Sequence, residues 1–409
     1  MAVPPPGDSR RREVGAPALA VGSLFAGVFA YVYIAVGTRH YGADEFSGVA
    51  QLWTIWFFGS SVLTFPLQHW VIQRLRIDGH GGAVRAVLPR LAAVTLGLGA
   101  AVGIVGFAIR GDLFDQDGVL YPVVGGLIIV TTAVMGVLRG SLAGRSRFLA
   151  TAGAIGSENI VRVLFGVIVV VAGLSVDVYG AAILTGVLVA LAWPTAFVFR
   201  GPPTEHVSPF AFLGNVAGGT VIGQSILTGG PIVLSLVGGT RHEVTSLFTA
   251  LALFRAPYVV ALGLSIRATA ALTDLMVAGR AGELERVRHR VALAGIGVMA
   301  VGGAGAAVFG PSILRLIFGG EVELDRLECV GLAVGSLAAL ATLGLTLLQM
   351  TDAAGGRVLH SWATALLVGV VSMVILPLDP LPRVVAAFLA SELTAFALMA
   401  VLDGSGDRR

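Results

Sequence analysis

Apolar positions run along this chain in long blocks, separated by short polar stretches. A helix crossing a hydrocarbon core about 30 Å thick needs about 20 mostly apolar residues. Runs of that length fall at 16–38, 47–72, 86–109, 119–138, 150–172, 178–199, 210–237, 244–272, 290–309, 328–350, 359–377 and 383–402. The pattern predicts an all-α integral membrane protein with twelve transmembrane helices. The first run follows Arg10, Arg11 and Arg12, as a secretory signal would. It is longer than a usual signal core and ends in no small-residue cleavage site, so it reads as a retained helix.

The placement of arginine orients the spans. With the N-terminus in the cytoplasm, the inner segments carry 18 arginines and the outer loops 6. A missed or invented span would invert every loop after it and destroy that split. Both termini are therefore predicted to be cytoplasmic. Matched loop patterns divide the chain into two six-helix bundles around a central cavity. The predicted order is a cytoplasmic tail at 1–15, an N-terminal lobe at 16–199, a Pro-rich cytoplasmic linker at 200–209, a C-terminal lobe at 210–402 and a tail at 403–409. The segment from Pro311 to Phe318 reads as a separate interfacial helix in the longest outer loop.

Composition narrows the function. Of 409 residues, 56% are apolar and 12% charged, where soluble domains carry roughly 25% charged residues. The 56 glycines suit close helix packing in lipid. Every basic residue other than histidine is arginine. The absence of lysine excludes a Walker A loop and Schiff-base chemistry. The single Cys329 excludes an internal disulfide. The seven histidines have no metal-site spacing, so neither metal nor cofactor is expected. Loops are too short to hold a catalytic domain, and no enzyme activity is expected.

Charges inside spans are the candidate functional residues, because each costs roughly 2.5–3.5 kcal/mol to insert at mid-bilayer. Glu158 and Arg162 are spaced i, i+4 on one helix face and can pair. That pair is either structural or part of ion coupling, and Glu392 raises the same alternatives. Arg255 has no acidic residue one turn away in its own helix, which calls for a partner such as Glu392 or Glu158, or for a wet cavity. Arg267 lies near the inner end of its span and can snorkel. Thr220, Gln224 and Thr228 form one polar stripe, followed by a Gly229-Gly230-Pro231 break. Thr54, Ser61 and Gln68 recur every seven residues on a second, with Pro66 as a candidate kink. Trp53 and Trp56 read as packing.

The chain resembles a known family in three segments. RHYGADEFSGVAQL (39–52) is similar to the first outer loop of polysaccharide and lipid-linked oligosaccharide flippases. LRGSLAGRSRF (138–148) is similar to their inner loop after span 4, and ILRLIFGGEVE (313–323) to the turn after span 9. These flippases belong to the multidrug/oligosaccharidyl-lipid/polysaccharide exporter superfamily. The resemblance implies alternating-access translocation of a polyprenyl-diphosphate-linked glycan across the cytoplasmic membrane. It implies Arg255 and then Arg162 as diphosphate contacts, with Gln224, Thr220 and Gln68 lining the path. The expected partners are the lipid-linked glycan, membrane lipids and other polysaccharide-assembly proteins, with no nucleic acid. The rivals are a drug/cation antiporter of the same fold, using Glu158 or Glu392 for coupling, and a major facilitator. A lipid-sugar-dependent glycosyltransferase with Asp44-Glu45 in its first outer loop is a more distant rival.

Overall fold

A computed structural model of the protein describes residues 7–77, 81–202, 219, 221–262, 281–351 and 355–401. Thr220, Arg267 and most of the predicted linker lie outside the described residues. Within them, every regular element is a helix. A lipid environment offers the backbone no hydrogen-bond partner, so the chain must satisfy its own N–H and C=O groups. Eight described helices are long and apolar enough to cross a membrane, or nine if one bent pair counts as a span. Large apolar side chains face outward on many of them, among them Leu96, Ile104, Val171, Val301, Leu367 and Val374.

The chain divides into two compact units. Unit 1 comprises Met1–His40, Ile55–Gly111 and Gln116–Gly214, and unit 2 comprises Tyr41–Thr54, Asp112–Asp115 and Asn215–Arg409. Helix α1 (Gly7–Gly59) contributes to both.

In unit 1, α1 passes through a π-helical turn at Ser60–Thr64 into α2 (Phe65–Ile77). Helices α3 (Gly82–Ala108), α5 (Leu120–Gly144) and α6 (Phe148–Val171) follow; the short α4 (Arg110–Phe114), between the first two in sequence, belongs to both units. Gly136, Gly140 and Gly144 form a stripe at i, i+4, i+8 on α5. A Cβ at Gly140 would stand 2.8 Å from the Gln68 carbonyl, so α5 and α2 meet backbone to backbone. The π turn falls within the predicted Thr54, Ser61, Gln68 stripe, and Thr54 and Gln68 on either side of it are both buried.

The predicted span 178–199 is not one α-helix. It starts as α7 (Val176–Ala181) and tightens into 3-10 geometry over Ala182–Ala192. Pro194 then starts a second 3-10 turn that ends at Phe197.

In unit 2, a helix at 221–228 (α8) breaks at Gly229 and restarts as α9 (Gly230–Leu236). The break is the one expected at Gly229-Gly230-Pro231. Helix α10 (Arg241–Phe254) opens with a capping box between Thr240 and Glu243. It bends by 48° into α11 (Ala256–Leu262). Helices α12 (Ala281–Phe318), α13 (Arg326–Thr351), α14 (Gly355–Ile375) and α15 (Pro380–Val401) complete the unit. Their shared core holds Met299, Leu345, Trp362, Phe396 and Met399.

One expectation about loops is corrected. The segment Pro311–Phe318 is the continuous end of α12 and not a separate helix. Gly310 has no Cβ to clash with the proline ring, so Pro311 removes a hydrogen bond without ending the helix. The expected first outer loop is a tight break between two helical stretches at Gly42, where φ is 82° and ψ 167°. A Cβ there would lie 2.7 Å from Glu321 Oε2, so conformation and space both demand glycine. The Glu321 carboxylate then accepts from the Ala43 N–H at 3.1 Å, capping the restarted helix.

Candidate functional site

Each unit has a polar interior, and the two are built on opposite principles. In unit 1, Glu158 on α6 is 2% exposed and pairs with two arginines. Arg162, one turn on, donates Nη2–H to Glu158 at 2.5 Å and Nη1–H to Asn159 Oδ1 at 2.5 Å. Its Nε–H reaches the Ile183 carbonyl at 2.8 Å, inside the 3-10 segment. A carbonyl oxygen has two lone pairs, so it can take the arginine bond beside its intrahelical one. Gly186 clears the space, since a Cβ would stand 2.7 Å from Nε. The guanidinium also lies over the Trp56 ring, 4.4 Å from its centroid.

Arg139, near the end of α5, ion-pairs with the other oxygen of Glu158. Asn159 Nδ2–H donates to the Ala26 carbonyl at 2.7 Å, tying the network to α1. Beside it, Tyr33 and Tyr179 each donate a hydroxyl proton to the other's backbone carbonyl, with ring centroids 4.5 Å apart.

In unit 2, Glu392 on α15 is fully buried. Among the described residues neither of its carboxyl oxygens has a hydrogen-bond partner. It lines a cavity of about 60 Å3 with Gln224, Tyr258, Thr346 and Trp362. About 10–15 Å3 of such space holds one water, so the cavity admits a few waters or one dehydrated monovalent cation. Gln224 donates its Nε2–H to the Tyr258 hydroxyl at 2.7 Å. That oxygen therefore acts as acceptor, and its own proton points elsewhere.

Arg255 sits at the bend between α10 and α11 and is 3% exposed. Its Nη1–H points at the Leu227 carbonyl, 3.5 Å away. Leu227 stands four residues before Pro231, which has no N–H to return to that carbonyl. Arg255 supplies the missing donor. Of the alternatives for Arg255, pairing with Glu392 is not seen, since the Glu392 oxygens accept from no described residue.

The structure thus brings Gln224, Glu392 and the Arg255 bend into one unit, and Glu158 and Arg162 into the other. Gln68 is buried on α2 in unit 1. Two site residues have no sequence signal of their own. Arg139 counts as a loop arginine until α5 is seen to reach Gly144. Tyr258 reads as an ordinary apolar position until the α10–α11 bend turns it toward Gln224. Trp56 covers a guanidinium and is not simple packing.

No family model and no curated protein matches the chain. Solved structures do. A multidrug resistance MATE family transporter of the MOP superfamily, in an inward-facing conformation, aligns at a TM-score of 0.65 and 14% identity, over 93% of this chain and 96% of that one. The eukaryotic MATE transporter AtDTX14 aligns at 0.63 and 13%, over 95% and 94%. A mutant form of the Vibrio cholerae MATE transporter VcmN aligns at 0.56 and 11%, over 95% and 94%. Over nearly its whole length, then, this multi-pass, all-helical chain has the fold of the MATE transporters of the MOP superfamily.

Proposed function

We propose that this protein is an ion-coupled exporter of the cytoplasmic membrane that moves an amphiphilic organic cation by alternating access. The observation that carries the reading is Glu392. An ionised carboxylate taken out of water without a partner is very unfavourable. The group is therefore either protonated or accompanied by a cation, and the polar cavity beside it has room for one. Exchanging that proton or cation for water is a local charge change that can bias a two-state transporter. Gln224 and Tyr258 orient the cavity wall. Glu158 is a structural group in this reading, because two guanidinium groups already neutralise it.

Translocation of a polyprenyl-diphosphate-linked glycan is the second reading. It draws support from unit 1, where Arg139 and Arg162 surround a single carboxylate and leave an excess positive charge that would suit an anionic substrate. Against it, Arg162 and Arg255 both donate to oxygens of this chain.

Proteoliposomes loaded with a fluorescent cationic dye, under an imposed proton or sodium gradient, separate the two. Gradient-driven dye transport is expected. Glu392→Gln should cut it at least about tenfold, a coupling free energy of about 1.4 kcal/mol or more. Its unfolding midpoint should stay the same or rise, since an unpartnered acid is lost. Leaflet exchange of a lipid-linked oligosaccharide without dye transport would instead select the glycan reading.

A further inference from the structure

One pocket stands apart from both polar interiors. It opens at the arginine-rich end of unit 1, the end the positive-inside rule assigns to the cytoplasm. Its volume is about 580 Å3, and its wall includes Leu75, Val198, Arg145 and Arg200. The frame is firmly built. The Gly81 N–H donates to the Arg200 carbonyl at 2.8 Å, joining the start of α3 to the end of the span-6 segment. Arg145 donates from Nη1 to the Thr195 carbonyl at 2.8 Å and from Nη2 to the Val198 carbonyl at 2.6 Å. Its guanidinium lies 5.5 Å from the centroid of the Phe199 ring. These bonds satisfy carbonyls left open where the 3-10 turn ends, and they fix one positive charge at the pocket wall.

Among the described residues the charge around the pocket is all positive. The segments that frame it carry Arg74, Arg76, Arg85, Arg145, Arg147 and Arg200, and no acidic residue among their described positions. Arg76 donates to Ser146 Oγ at 3.0 Å, which neutralises nothing. The Arg200 side chain is exposed and makes no hydrogen bond or ion pair with any described residue. Burial, and next the charge of Arg147, push the Arg145 guanidinium below its ordinary value. Several fixed positive charges and an apolar wall at a membrane edge suit one kind of ligand, a phosphate anion attached to an acyl chain.

We propose that this pocket binds the phosphate headgroup of an anionic phospholipid of the inner leaflet, with Arg200 as its cationic contact, the fixed charge of Arg145 behind it, and Leu75 and Val198 beside the glycerol and first acyl carbons. The proposal is independent of what the protein transports.

The full chain, purified in a neutral detergent, tests it. Phosphatidylglycerol, phosphatidylcholine and inorganic phosphate are titrated separately, with the unfolding midpoint and lipid adducts in native mass spectrometry as readouts. Phosphatidylglycerol should raise the midpoint and persist as an adduct, and phosphatidylcholine should do neither. Arg200→Gln should weaken the phosphatidylglycerol effect about fivefold, the usual contribution of one arginine beside an anionic lipid surface. Arg200→Lys should restore most of it, and Arg290→Gln, an exposed arginine on α12, should leave it unchanged. Equal stabilisation by the two phospholipids would overturn the proposal, as would equal weakening by Arg290→Gln. Inorganic phosphate reproducing the whole effect would overturn the lipid assignment.

Discussion

Glu158 and Glu392 are equally hidden, at 2% and 0% exposure, and differ in their company. Glu158 has two guanidinium groups, one on each carboxylate oxygen. Removing one member of a buried ion network leaves the rest uncompensated, which costs about 3–5 kcal/mol. Glu158→Gln should therefore lower the unfolding midpoint sharply, because it strands Arg139 and Arg162 together. Glu392→Gln should not, although both changes are chemically identical. If thermal unfolding ranks the two variants the other way round, the structural and coupling roles assigned here are reversed. Arg255 takes a third route, toward a carbonyl dipole rather than a charge. Its part in stability is tied to Pro231, and a double-mutant cycle isolates that tie. Arg255→Ala alone should cost about 1.5–3 kcal/mol, the range for a hydrogen bond to a charged donor. In a Pro231→Ala background, which restores an N–H for the Leu227 carbonyl, the same change should cost measurably less. Additive effects would show that Arg255 acts elsewhere, for example on substrate.

Whole elements bend where the sequence removes a hydrogen bond or a side chain. Pro231 opens the α8–α9 break, Pro194 begins a new turn after Ala192, and Gly42 interrupts α1. Other elements are set by close approach. The α5 stripe lets helix backbones touch, and packing of that kind tolerates no added volume. Gly140→Val would place its Cβ and methyls against the Gln68 carbonyl and the Val71 Cβ. Over-packing of this kind typically costs about 1–3 kcal/mol. The expected result is a lower unfolding midpoint in detergent and a smaller folded fraction in membranes, and an unchanged midpoint would mean that α2 and α5 can separate freely. Gly97 is the matched control on α3, since a Cβ there meets nothing within 4 Å.

For the molecule as a whole, arginine distribution predicts membrane orientation. Reporter fusions after residues 145, 285 and 355 should report cytoplasm, and those after 115 and 320 the outer side. The inner segments hold 18 of the 27 basic residues, and this bias sets topology during insertion. A single reversed reporter between these sites would require a different number of spans. The basic pocket of unit 1 depends on the same distribution, so its end of the molecule must report cytoplasm for an inner-leaflet lipid to reach it.

Membrane residence and the all-helical class were legible in the residues themselves. Apolar runs and backbone hydrogen bonding are properties of a single segment, and they need no knowledge of its neighbours. The i, i+4 pairing of Glu158 with Arg162 was legible for the same reason, as was the break at Gly229-Gly230-Pro231. What depends on two segments meeting was not legible. Only the packing of α5 on α6 turns Arg139 from a loop charge into the second partner of Glu158. Only the bend after Phe254 brings Tyr258 to Gln224 and Arg255 to the carbonyl that Pro231 leaves open. The same holds for Glu392, whose sequence neighbours do not reveal whether an opposite charge faces it. A side chain's depth can be read from its helix, but its partners come from other helices, and tertiary structure alone decides which of them arrive.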